Sequence, residues 1–155
     1  MIFYIKQKIL TFGDKFSIYD EAGNEVYYVE GEIFTKKLHI YDSNRMELAF
    51  IRQRLFSLPL KFEILQDGDV VAAISRKFSI LRQNYKVEGL GWSVSGDFTG
   101  HCYDINTGDS CVARISKAWF TLGDAYQIDI QSGVDEILVL AMVLAIDAEI
   151  DASSN

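Results

Sequence analysis

Proline is nearly missing from this chain of 155 residues: Pro59 is the only one. With no proline-rich tract, no low-complexity stretch and no break in composition, neither a linker nor a second domain is visible. Cysteine is scarce too. Cys102 and Cys111 have no metal-ligand spacing and no further cysteine to complete a site, which removes the common zinc modules. They flank an expected turn, within reach of one another across a hairpin, and reduced structural thiols are the expectation. Only two histidines occur, His39 and His101, and neither has a partner at a meaningful spacing. No Gly-x-Ser-x-Gly elbow, phosphate-cradling Gly-x-x-x-x-Gly-Lys or dinucleotide fingerprint is present. The longest apolar run, 137–146, has ten residues, whereas crossing a bilayer as a helix takes about 20. The opening MIFYIKQKIL has no basic lead and no small-residue cleavage site, so a secretory signal is not expected. Basic charge is also short. The net charge is −7, the wrong sign for a general nucleic-acid binder, which must neutralise phosphates.

What is present is a globular composition, 49% hydrophobic and 13% aromatic, the latter suited to strands. Four segments repeat one pattern of alternating strand, polar turn and alternating strand: 16–31, 38–53, 62–77 and 101–116. Asp20 to Asn24 and Asp104 to Gly108 each pair an Asp, able to bond back to turn amides, with a Gly free to take positive φ. Asp67-Gly68 is a tight-hairpin dipeptide, and a calcium loop is excluded there because the remaining ligands are missing. Period-two alternation runs through Phe16 and Ile18, through Leu58, Leu60, Phe62 and Ile64, and through Tyr126, Ile128 and Ile130. Each such strand has one apolar face and one wet face. Glycines at 89, 91, 96 and 100 surround Trp92, Val94 and Phe98, as bends that close a sheet require. Ten to twelve short strands are expected.

One element breaks this rhythm. Ser132 is read as an N-cap with Asp135 three residues on, opening a helix over about 134–149. The run 137–146 has no polar face, and a helix apolar all round must be surrounded. Its large side chains, among them Ile137, Leu138, Leu140, Met142, Leu144 and Ile146, are each worth about 1.5–3 kcal/mol when fully buried. Ten residues cannot span lipid, so the chain must enclose its own helix. The expected fold is therefore mainly β: a closed antiparallel barrel of about 12 strands threaded by a central hydrophobic C-terminal helix. One domain over 1–150 and a polar tail over 151–155 complete it.

The stretch from Ala113 to Ile130 carries Lys117-x-Trp119 followed by Gly123-Asp124-x-Tyr126, and the apolar helix after it ends in Ala145-Ile146-Asp147. With Phe16 to Asp20 and its following Gly-Asn, this chain resembles the LURP-one-related family, within the tubby C-terminal-like superfamily that also holds the phospholipid scramblases. The resemblance implies a closed barrel of about twelve strands threaded by the C-terminal helix, with Lys117, Trp119, Gly123, Asp124 and Tyr126 as structural motif residues. Tubby proteins bind phosphoinositide head groups through barrel-surface cations. No local motif here matches their lipid-binding residues, and the cysteine clusters of scramblases are missing.

The charge is unevenly distributed. Residues 36–88 hold ten basic and six acidic side chains, net +4, leaving −11 elsewhere. Within that stretch Arg52 and Arg54 share a strand face, Lys61 follows closely and Lys36-Lys37 opens the paired strand. Cross-strand cations make an anion or lipid-head-group patch, unless Glu47 and Glu63 neutralise them on an ordinary solvated exterior. Trp92 and Trp119 line a cleft or pack at the rim. The functional expectation is a non-enzymatic module without cofactor or metal, acting through a protein partner or as a scaffold. The alternative is a peripheral binder of anionic phospholipid head groups through Lys36, Lys37, Arg52, Arg54 and Lys61. The expected location is cytoplasmic, or peripheral at a membrane.

Overall fold

The structure, a computed structural model, describes residues 1–6, 13–77, 84–118 and 125–154. Twelve strands and one helix lie among them. The strands are β1 (Ile2–Ile5), β2 (Lys15–Tyr19), β3 (Glu25–Glu32), β4 (Lys37–Tyr41), β5 (Glu47–Gln53), β6 (Lys61–Gln66), β7 (Asp69–Lys77), β8 (Asn84–Glu88), β9 (Trp92–Asp97), β10 (Cys102–Thr107), β11 (Ser110–Lys117) and β12 (Tyr126–Ile130), followed by α1 (Glu136–Ser153). All four repeated segments are hairpins. Two of their turns use one device: Oδ1 of Asp20 accepts from the amides of Ala22 and Asn24, and Oδ1 of Asp42 from those of Asn44 and Met46. Asp104, expected to do the same, lies within β10, where its Oδ1 accepts from Arg114 Nε at 2.9 Å. At Asp67-Gly68 both residues have positive φ, 51° and 83°, the pair of angles that matches a two-residue turn to the strand twist.

Every neighbouring pair is antiparallel, and the order is β8-β7-β6-β5-β4-β3-β2-β1-β12-β11-β10-β9. The first strand thus pairs with both β2 and β12. The two ends of the order, β8 and β9, are consecutive in sequence and lie side by side, so the sheet is a nearly closed barrel. The two remaining edges face one another, which shields them from the pairing that invites aggregation. Gly96 is required at the bend of β9. With φ 133°, an added Cβ there would stand 2.6 Å from the Tyr103 backbone, closer than atoms can pack.

Inside runs α1. Val139 to Ile146 are fully enclosed, facing inward residues such as Ile18, Ile40, Ile51, Phe62, Ile64 and Ile128. The helix packs most closely on β5, β6, β7 and β12. The expected barrel with an enclosed helix is what the chain forms, and three details differ. The N-cap is Asp135, whose carboxylate accepts from the amides of Ile137 (3.0 Å) and Leu138 (3.4 Å). Ser132 cannot cap because Gly133 turns left-handed, φ 83°, and keeps the chain out of the helix. The helix runs on to Ser153, so the segment expected as a polar tail begins as its last turn. Leu138, at the barrel mouth, is only partly buried.

Candidate functional site

Antiparallel topology brings the β3–β4 and β5–β6 connections, residues 33–36 and 54–60, to the same end of the barrel. The amide of Gln53 donates to the carbonyl of Lys36 (3.0 Å), and that of Arg54 to the carbonyl of Lys61 (2.8 Å). These bonds hold the two loops side by side. Both present apolar side chains to solvent: Ile33 and Phe34 from one, Leu55, Phe56 and Leu58 from the other. Phe34 and Phe56 are wholly exposed, at 100% and 105% of the reference surface. Phe56 also has positive φ, 58°, a conformation costing an L residue about 1–2 kcal/mol. Neither burial nor backbone preference accounts for an aromatic at this place.

Around these tips stand the cations singled out in the sequence. The segments 33–37 and 52–61 hold Lys36, Lys37, Arg52, Arg54 and Lys61 and no acid. The register sets Lys37 opposite Arg52, flanked by Glu32 on one side and Glu63 on the other. Arg52 Nε is 3.4 Å from Glu63 Oε1, and Lys61 Nζ 2.9 Å from Glu88 Oε2. The lysine holds the Glu88 carboxyl below its usual range through that bond. Lys37 lies over the Phe50 ring, 5.6 Å from its centre. Arg54 is exposed and makes no ion pair among the described residues. All five cations therefore share one rim that carboxylates also reach: Glu63 and Glu88 pair with Arg52 and Lys61, Glu32 stands opposite Lys37, and Asp151 feels the charge of Lys36.

The apolar tips were not anticipated. The alternation Leu58, Leu60, Phe62, Ile64 reads as one strand, yet β6 starts only at Lys61, leaving Leu58 outside. The overlooked signal was apolar residues in the short gaps between the repeated segments: Ile33-Phe34 before two lysines, and Leu55-Phe56-Ser57-Leu58 before the single proline.

The groups capable of chemistry are elsewhere, inside. Two carboxylates near the end of α1, Asp147 and Glu149, are each 1% exposed. Asp147 Oδ1 is 3.0 Å from His101 Nε2, and its Oδ2 accepts from the Tyr126 hydroxyl at 2.7 Å. The His101 ring stacks on Tyr126 at 4.0 Å. Glu149 meets Arg76, with Nη2 3.1 Å from Oε2, accepts from Ser153 Oγ at 2.6 Å and bonds the Tyr85 hydroxyl. Buried charge is tolerated only when paired in this way. Burial, then the Asp147 charge, pushes the Tyr126 and Tyr103 hydroxyls well above the usual tyrosine value. Burial and the bond to Glu149 raise Tyr85 similarly. These ties anchor the helix to β7, β8, β12 and the turn before β10.

Of the motif residues, Lys117 ends β11 opposite Tyr126, which opens β12 with its ring buried. Trp119, Gly123 and Asp124 lie outside the described residues. Trp92, at the start of β9, packs partly buried against the core. Cys102 is exposed at the start of β10 and Cys111 faces Asn106 at the far end of that strand, so they are not cross-hairpin neighbours. Among the described residues no group of His, Cys, Asp and Glu could hold a metal, and no helix is long and apolar enough to cross a membrane.

Three similarities frame this geometry. The family model described as LURP-one-related matches residues 1–147. "Uncharacterized protein YxjI" of Bacillus subtilis (strain 168) is 30% identical over 146 residues, 93% of this chain and 90% of the relative. The X-ray structure of the Arabidopsis thaliana protein AT5G01750 covers 98% of this chain and 90% of its own at a TM-score of 0.68, with 14% identity. That last likeness concerns the fold alone.

Proposed function

The chain belongs to the LURP-one-related family, and from that premise we propose that it is a non-enzymatic binding module that docks peripherally on anionic phospholipid head groups through the rim formed by 33–37 and 52–61. Kinship passes on a fold here and no activity, so the reading has to rest on the site. The observation that carries it is the juxtaposition of wholly exposed Phe34, Phe56 and Leu58 with five cations and no acid in the same two segments. An interfacial site needs both parts: apolar side chains that leave water for the acyl boundary, and basic ones that meet the head groups. Each cation near an anionic surface is worth about 1 kcal/mol, and each deeply inserted apolar side chain contributes about 1.5–3 kcal/mol. The pairs Arg52–Glu63 and Lys61–Glu88 reduce the first contribution; the bare Arg54 and the apolar tips do not depend on them.

A scaffold role through a protein partner uses the same exposed tips and makes the cations incidental. Co-sedimentation with phosphatidylserine-containing vesicles separates the two. Docking on head groups gives binding at low ionic strength that fades with added salt. It drops at least tenfold when Arg52 and Arg54 become Glu, and again in Phe34→Ser with Phe56→Ser. A protein that stays in the supernatant at low salt removes the lipid reading and leaves the protein-partner one.

A further inference from the structure

On the outer face of β4, two residues from Lys37, His39 is held by both ring nitrogens. Nδ1 lies 2.7 Å from Glu47 Oε2, and Nε2 lies 2.8 Å from Glu32 Oε2. A neutral imidazole has one N–H and one lone pair. It can donate to one carboxylate only, and at these distances the other would face a lone pair. The imidazolium donates to both. The Glu32 carboxyl is itself held below its usual range, first by the bond from His39 and then by one from Thr35.

The surroundings of the ring are fully specified by its two neighbouring strands. From β3 come Glu32 and the cross-strand partner Glu30, which lies 3.5 Å from Arg45. Along β4 stand Lys37 and Tyr41, the latter stacked at 6.0 Å. From β5 come Glu47, the cross-strand partner Phe50 with its ring 5.7 Å away, and Arg52 opposite Lys37. The clasp reaches the rim directly, because Glu32 Oε2 also accepts from Thr35 Oγ at 3.0 Å, one residue from Phe34. A continuous chain of contacts therefore runs from Glu47 through the ring to the loop with the exposed aromatic.

We propose that His39, clasped between Glu32 and Glu47, is a proton-operated control of rim docking: proton uptake closes both contacts, fixes the base of the Phe34 loop and adds one positive charge at the rim, so that docking on an anionic surface strengthens as the pH falls. The inference rests on the head-group reading of the same rim. Two residues of strand place His39 about 7 Å from Lys37, inside the screening length of about 8 Å at physiological ionic strength. One added charge at that depth strengthens partitioning about fivefold.

The test is co-sedimentation with phosphatidylcholine vesicles containing phosphatidylserine, at about pH 7.5 and about pH 5.5, the interval over which histidines change charge, at constant ionic strength. The intact chain is expected to bind about fivefold more at the lower pH, and His39→Gln to bind equally at both. Glu47→Gln opens the clasp from its other side and is expected to flatten the response as well; circular dichroism checks that both variants fold. Binding by the intact chain that ignores pH, or a full pH response kept by His39→Gln, overturns this inference and leaves rim docking standing. No sedimentation at either pH overturns rim docking, and the inference with it.

Discussion

Phe56 carries two penalties together, an aromatic ring in water and a left-handed backbone at φ 58°. Neither is repaid inside the fold, so their removal should not harm it. Asn tolerates that conformation far better than Phe. Phe56→Asn is therefore expected to leave unfolding free energy unchanged or raise it by up to about 1 kcal/mol while weakening vesicle binding. Urea denaturation beside sedimentation checks this, and a loss of more than about 1 kcal/mol would mean that the ring packs against the chain. The same residue marks where one-dimensional reading ends. Alternation assigns Leu58 to a strand face because Leu60 and Phe62 follow at the right interval, but a period cannot announce the residue at which pairing stops. Asp147 and Glu149 are a second instance: carboxylates after an apolar run look like an exit to solvent. Their partners His101 and Tyr85 lie 46 and 64 positions away, a proximity only the closed sheet creates.

At the level of the element, most of the architecture could be read from the chain because local rules agreed with the global result. Each hairpin had alternation on both sides and turn residues between them, and the apolar run of α1 allowed no solvent-facing solution. What could not be read was the choice between two good caps. Ser132 and Asp135 are both of the preferred kind, and the left-handed angle at Gly133 decides between them. The expected energies follow. Asp135→Ala should cost about 1 kcal/mol through the two unmatched amides, whereas Ser132→Ala, in an exposed turn, should stay within about 0.5 kcal/mol. Thermal unfolding of the pair measures the contrast, and equal losses would return the cap to Ser132. The basic rim belongs to this level as well: the excess of cations over 36–88 was visible by counting, but which of them meet Glu63 and Glu88 is fixed by register.

The molecule as a whole is electrically lopsided along the barrel axis. The mouth opposite the cationic rim is built from the turns 20–24, 42–46, 67–68, 89–91, 108–109 and 131–135, which hold six acids against Arg45 alone. A body of net charge −7 can still approach an anionic surface if it approaches rim first, and the acidic mouth enforces that orientation. A pH dependence also belongs to this scale. Tyr85, Tyr103 and Tyr126 have hydroxyls raised above the ordinary value of 10.0 by burial and the carboxylates beneath them. Their folded-state values exceed the unfolded ones, so the stability they contribute is complete below pH 10 and declines as the pH climbs beyond it. The share of tyrosinate absorbance that belongs to these three should then appear together with loss of circular dichroism above pH 10; their ionisation in a chain that stays folded would contradict the enclosure described here.

Because α1 follows every strand in the chain and fills the barrel, the ribosome delivers the interior after the wall. Until 137–150 emerges, all twelve strands have inward faces with nothing to cover them, and β1 gains its second neighbour, β12, only shortly before. Long-range pairing of this kind is slow and leaves greasy surface open to other chains meanwhile. A truncation that spares every strand but drops the final segment is thus the lesion most damaging to solubility, out of proportion to the few residues it removes.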